Sequence, residues 1–297
     1  MHDLKPALSY HEQIEKLKTA HGLTIEDDEE ALEILKLVTY YRLKGYGIGL
    51  QQKEDPEKYC DGISLRHIYM LHEFDSNLRN LIIHVTEQIE IQLRAQISNH
   101  IALTYGEEGY MNTGFFTDKR SKEGALIHSE VIQKFKKECE NQKNVPFVKH
   151  HNEKYDGHFP VWVAVELFSF GNLSSLYSIM KPIDQKSIAD LYNTEPKHLG
   201  SWILSLVEIR NICAHGSRLY NMPLKQSPYL YMEHKKYRSK NINKLFPVIL
   251  TLKRMLNNDT RWTAFVNRLK LLLSDYQDVV RLSFLGFPRD WQKVLSE

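Results

Sequence analysis

Cysteine is scarce in this chain: Cys60, Cys139 and Cys213 are the only three, far apart and odd in number. That excludes a disulfide framework, and no zinc-finger spacing is present, so the thiols read as reduced ones in a cytoplasmic protein. Long apolar runs are missing too. None approaches the roughly 20 residues that a membrane helix needs. The opening residues Met1-His2-Asp3-Leu4-Lys5-Pro6 hold no apolar core of a secretory signal. No membrane partner is therefore expected. Internal repeats and low-complexity segments are absent, which sets aside repeat arrays. A strong net charge is absent as well: the formal +2 does not announce a nucleic-acid binder.

What is present is ordinary for a soluble globule with a sizeable core, at 42% hydrophobic and 26% charged residues. The charge is unevenly placed. Residues 225–297 carry 14 Lys and Arg against 6 Asp and Glu, leaving 25 against 31 in the rest. A basic final third can hold a phosphate backbone. A solvated basic helical face accounts for it equally well.

Periodicity is helical almost throughout. Ser9 and Glu12 make a capping box ahead of Ile14 and Leu17, and Gly22 ends that helix. The acidic run Glu26–Glu30 suits the positive N-terminal end of a second helix. Tyr40, Tyr41 and Tyr46 are expected to pack around Gly45. Residues 47–62 read as a loop, with room for an edge hairpin. From Ser64 to about Tyr105 the spacing of Ile68, Leu71, Phe74, Leu78, Ile82, Val85, Ile89, Leu93 and Ile97 predicts one long helix. Further helices are expected near 123–140, 161–168, 172–180, 186–192, 196–215, 242–257 and 259–276, with a short element at 288–295. His150, His151 and His158 have no acidic partner at a standard metal spacing, so neither a metal nor another cofactor is expected.

The helix that opens at Pro196 ends in a cluster of polar groups. Trp202, Ile203, Leu206, Ile209, Ile212 and Cys213 form its buried face, and Gly216 offers the stop. At about 100° per residue, Asn211 and His215 lie about 100° and 140° from Arg210, one turn apart on one side. Arg210 can lean towards them, and Arg218 follows just beyond. Internal RNA cleavage needs a base for the 2′-hydroxyl, an acid for the leaving 5′-oxygen and a cation for the phosphate. Histidine titrates near neutrality and serves as either acid or base. Arginine grips phosphate oxygens and stays charged. An ordinary polar helix end would look much the same.

On the long helix, Glu87, Glu90 and Arg94 fall on one side, with Glu90 and Arg94 four apart in the orientation that favours an ion pair. Ile89, Ile91, Leu93 and Ile97 surround them and suggest partial shielding. After Asn221, Tyr229, Tyr231, Lys235, Lys236, Tyr237, Arg238 and Lys240 interleave aromatics with cations, as a single-stranded RNA surface does. A flexible loop that happens to be basic fits equally.

Arg210-Asn211-Ile212-Cys213-Ala214-His215 followed by Gly216-Ser217-Arg218-Leu219-Tyr220-Asn221 resembles the core motif of the Abi-like (AbiD/AbiF) abortive-infection proteins of bacteria, part of the HEPN superfamily. Other blocks match in order. Lys5–Tyr10 with Gln13 and Leu17 resembles the opening. Tyr40-Tyr41-Arg42-Leu43-Lys44-Gly45-Tyr46 resembles the Tyr-Tyr-Arg-Leu-x-Gly-Tyr box. Phe74-Asp75, Leu78-Arg79, Glu87, Glu90 and Arg94 resemble the central helix. Pro160–Val163, Glu166 and Phe170–Ser174 resemble the next block. The likeness spans roughly 4–224 and fades beyond.

The expected fold is all-α: a HEPN-like helical bundle in a single domain over 1–297. An N-terminal helical elaboration would cover 1–60, the core 61–224 and a basic helical extension 225–297. The resemblance implies a metal-independent endoribonuclease in phage defence or a toxin–antitoxin setting, ending in a 2′,3′-cyclic phosphate. It makes Arg210, Asn211 and His215 catalytic and Glu90 with Arg94 their orienting pair, with Glu87 and Arg218 in support. Lys235, Lys236, Arg238 and Lys240 are the expected RNA contacts. The resemblance also implies a homodimer, since such sites pair two motifs, and a small structured RNA or antitoxin as a further partner. Two alternatives stand beside the enzyme: a protein that holds a structured RNA without cutting it, and an interaction protein that senses a phage component.

Overall fold

The unbroken apolar stripe from Ile68 to Ile101 forms one helix. In a computed structural model of the chain, which describes residues 6–238 and 242–296, it runs over Leu65–Tyr105. Three helices precede it: α1 (Tyr10–Thr19), α2 (Asp28–Leu37) and α3 (Tyr40–Tyr46); the long helix is α4. Then follow α5 (Ile127–Asn141), α6 (Pro146–Lys154), α7 (Val161–Ala164), α8 (Phe170–Ile179), α9 (Pro182–Asp190) and α10 (Pro196–Ala214). The chain closes with α11 (Leu245–Leu256), α12 (Asp259–Asp275), α13 (Leu282–Leu285) and α14 (Trp291–Ser296). Among the described residues there is no strand. The hairpin allowed at 47–62 reduces to an isolated bridge between Gln51 and Tyr59. The protein is all-α, as expected. No helix among the described residues is long and apolar enough to cross a membrane.

Local signals set the helix starts. The capping box at α1 is present: Glu12 N–H donates to Ser9 Oγ at 3.3 Å, and Ser9 N–H donates to Glu12 Oε2 at 2.7 Å. Asp27 caps α2 by accepting from Glu29 N–H and Glu30 N–H at 2.8 and 3.2 Å. Pro146 and Pro182 sit in the first turns of α6 and α9, where no N–H is needed.

The chain divides into two compact units, one made of Met1–Ile82, Ile212–Pro223 and Ala264–Glu297, the other of Ile83–Asn211 and Leu224–Thr263. These boundaries cut across the blocks 1–60, 61–224 and 225–297. The first unit is built around Ile68, Leu71, Phe74 and Leu78 of α4, all fully or nearly fully buried. Phe74 meets Tyr220 and Tyr276 at ring distances of 5.8 and 5.7 Å. In this unit Tyr46 is buried, as packing requires, but the space beside Gly45 is taken by the Arg218 side chain. The expected packing of tyrosines around Gly45 is not seen, and Tyr41 is 88% exposed. Tyr40 turns its hydroxyl instead to His21 Nε2, 2.6 Å away. The second unit centres on Ile89, Leu93, Ile97 and Ile101 of α4 together with Leu199, Trp202, Leu206 and Ile209 of α10. Phe135 of α5 adds an aromatic group with Tyr110 and Phe168.

Candidate functional site

The second unit holds one carboxylate between two arginines. Glu90, buried on α4, receives Arg94 Nη2–H at 2.5 Å on Oε1. One helical turn separates them, so backbone geometry alone brings them together. Arg94 Nη2 also donates to the carbonyl of Phe168 at 2.6 Å, and Nη1 donates to the carbonyl of Val165. The other oxygen, Glu90 Oε2, lies 3.2 Å from Arg210 Nε. Arg210 then donates through Nη1 to Asn211 Oδ1 at 3.2 Å. The result is a chain of groups, Arg94–Glu90–Arg210–Asn211.

Exposure changes along that chain. The Arg94 and Glu90 side chains are 11% and 8% exposed, whereas that of Arg210 is 31% exposed. A buried carboxylate flanked by two guanidiniums has its charge compensated. Arg210 is thus held from behind, and its Nη2 donates to no described residue. Such a guanidinium can receive an anion in a fixed orientation. Glu87 is exposed and joins neither Glu90, Arg94 nor Arg210. The expected support from Glu87 is therefore not seen in this geometry: it lies on the outer edge of α4.

α10 carries Arg210 and Asn211 in its last turns and ends at Ala214, so His215 is the first residue past it. The exit has a defined form. Gly216 takes φ +61°, its N–H donates to Cys213 C=O at 3.2 Å, and Ser217 N–H donates to Ile212 C=O at 3.0 Å. This is a Schellman motif, in which His215 is the cap and the glycine supplies the left-handed turn. The imidazole is exposed and bonds to no described residue. Arg218, expected in support, is held within the first unit. It donates Nη1 to the Gly45 carbonyl and lies 3.5 Å from Met222 Sδ within the first unit, and burial lowers its pKa. It is used as a tether rather than left open to a ligand.

The segment after Leu224 is not the free loop that its composition allows. Glu208 of α10 accepts from Lys225 N–H and Gln226 N–H, both at 2.7 Å. One turn after another, Ser201 Oγ accepts from Tyr229 N–H at 2.8 Å and Trp202 Nε1–H donates to Tyr229 C=O at 2.7 Å. Tyr231 stacks on His198 at 4.6 Å, meets Arg254 at 4.4 Å and bonds Thr194. Residues 225–231 are therefore strapped along α10, and the Tyr231 ring is already covered. Lys235 and Lys236 stand exposed in the 3-10 turn Met232–Tyr237 that follows, with Arg238 exposed beside it. Lys240 lies outside the described residues. Sequence reasoning missed Glu208, because its partners are backbone N–H groups that no pattern marks.

A family model described as "Abi-like protein" matches residues 33–221, well over half of the chain. No curated protein matches the chain, and no solved structure does.

Proposed function

The chain belongs to the Abi-like protein family, whose theme is abortive infection and phage defence, and on that premise we propose that it is a metal-independent endoribonuclease of the HEPN type. The observation that carries this reading is the Glu90 bridge, which holds Arg210 by its Nε while Nη2 donates to no described residue. Arg210 binds the scissile phosphate and stabilises the charge that builds on it. His215 acts as general base or acid. As base it removes the 2′-hydroxyl proton, O2′ attacks phosphorus, and the P–O5′ bond breaks. The 5′-oxygen takes a proton from the acid, leaving a 2′,3′-cyclic phosphate and a 5′-hydroxyl. Asn211 fixes the Arg210 side chain through Nη1. Arg94 and Glu90 keep the arrangement in place.

The spacing Arg-x4-His occurs at Arg210–His215 and again at Arg79–His84, where the arginine is buried against Asp75. Only the first presents an open guanidinium, and the reaction needs both a base and an acid. The reading therefore includes a two-fold homodimer in which the second copy provides the other histidine. Lys235, Lys236 and Arg238 then hold the RNA backbone outside the reacting group. A phage-triggered or antitoxin-controlled setting fits such an enzyme, with a small structured RNA as one form of antitoxin.

The test is cleavage of total cellular RNA by the purified chain in EDTA, beside an Arg210→Ala/His215→Ala double variant. Cutting by the wild type alone, with cyclic phosphate ends, supports the enzyme. Equal cutting by both refutes this site. Tight RNA binding by both with no cutting favours the non-cleaving RNA holder instead. In the same assay, full activity of a strictly monomeric wild type refutes the two-fold site.

A further inference from the structure

Among the sequence blocks that the proposed reaction leaves without a role are the box Tyr40–Tyr46, and Asp75 with Arg79 on α4. Both lie in the first unit, and both close on the few residues that follow His215. Asp75 is fully buried, yet it is a carboxylate. It accepts from Tyr220 N–H at 2.6 Å and from Leu219 N–H at 3.1 and 3.3 Å on its two oxygens. The Tyr46 hydroxyl donates to it at 2.8 Å, and Arg79 pairs with it from one turn along α4. Burial first, and then the Asp75 charge, push the Tyr46 phenol up to about 12, so it stays a donor. From the same box, Arg42 Nη2–H donates to the Gly216 carbonyl at 2.6 Å, and the Gly45 carbonyl accepts from Arg218.

A carboxylate cut off from water is tolerated only where donors surround it. Two of the donors here are backbone N–H groups, so the carboxylate fixes main chain as well as the Tyr46 and Arg79 side chains. Arg42 fixes the chain at Gly216, Arg218 ties it to Gly45, and Asp75 fixes it at Leu219 and Tyr220. We propose that Asp75, with Arg42, is a positioning residue for His215: it clamps the exit of the motif helix and thereby sets where the imidazole stands. The inference rests on reading His215 as the acid–base group. Neither Asp75 nor Arg42 touches substrate in this account.

The test uses the full chain with Asp75→Asn, and with Arg42→Gln as the milder variant should the first fail to fold. Single-turnover cleavage of RNA in EDTA, RNA affinity, the pH–rate profile and amide hydrogen exchange over 215–221 are measured together with the melting temperature. Misplacing a reacting group by about an ångström costs on the order of 10²-fold in rate. A loss of that order is expected, with RNA affinity unchanged, the limb of the pH profile that depends on His215 flattened, and faster exchange at Leu219 and Tyr220. A melting temperature that falls while rate and profile stay put overturns the proposal, because the clamp would then serve stability alone. Loss of rate and RNA affinity together also overturns it. If the wild type itself does not cut, the ribonuclease reading fails separately. The exchange arm then decides: opening of 215–221 in a still-folded Arg42→Gln variant supports the clamp, and unchanged exchange refutes it.

Discussion

At Glu90 one carboxylate serves two arginines, through Oε1 to Arg94 and through Oε2 to Arg210. Replacing it with glutamine keeps the shape and removes the charge. Arg94 then remains buried against two carbonyls with no counter-ion, and breaking a buried pair in this way costs about 3 kcal/mol. Arg210 loses its Nε partner and is free to turn into solvent. Glu90→Gln is therefore expected to lower unfolding stability by that amount in urea and to lower cleavage as far as Arg210→Ala does. Glu87→Ala, one turn away but exposed and unpartnered, is expected to change stability by no more than about 0.5 kcal/mol. Similar losses for the two variants would remove the distinction drawn between them. The Glu90–Arg94 half of this group was legible in the sequence, because four residues on a helix make one turn whatever the fold. The Glu90–Arg210 half was legible only through the family resemblance and not from spacing: it joins residues far apart in the chain, and packing of α4 against α10 brings them together. Nor does any local pattern mark Gly45 as the carbonyl partner of Arg218.

At the scale of elements, strong periodicity and caps were readable, and tertiary tethers were not. α4 and α10 fall where the apolar spacing places them, and Ser9 and Asp27 cap the helices they precede. The region 161–168 reads as one α-helix, but the α-form stops at Ala164 and a 3-10 turn follows. The carbonyls of Val165 and Phe168 there are held by Arg94. α6 and α13 went unread because short, polar or isolated turns leave little periodicity. Gly216 is the clearest case of an element end written in sequence. It adopts φ +61°, and a Cβ there would meet nothing within 4 Å. Substitution thus carries only the backbone cost of the left-handed region, about 1–2 kcal/mol for an ordinary L-residue. Gly216→Ala is expected to lose that much stability in urea denaturation, and Gly216→Asn less, because asparagine tolerates the region better. Equal losses for the two would mean that something other than the turn sets the cost.

For the whole molecule, charge and histidine matter more than net charge suggests. The basic final third is not one feature. Residues 225–263 carry 9 Lys and Arg against 2 Asp and Glu, whereas 264–297 carry 5 against 4. The excess thus belongs to 225–263, in the second unit, with five of its nine cations between Lys235 and Lys244. Those cations bear on two histidines. His198 is lowered by burial and then by Lys197, Arg254 and Lys235, and His234 by burial and then by Arg254, Lys236 and Lys253, acidic neighbours opposing in each case. In the first unit, burial again leads for His67, with Arg281 adding to it, and for His72, where Arg42 adds and Glu73 opposes. All four are thus lowered from the ordinary 6.5. The unfolded chain binds protons at these sites more readily than the folded one. Stability therefore rises with pH across this range: it is fully present above about 6.5 and is lost as pH falls through the folded values. Urea denaturation at pH 7.5 and 5.5 is expected to show the lower stability at 5.5, with His198→Gln and His67→Gln each flattening part of the slope. A slope of the opposite sign would mean that protonation favours the fold, and that the cations around His198 and His234 do not act on them as their placement requires.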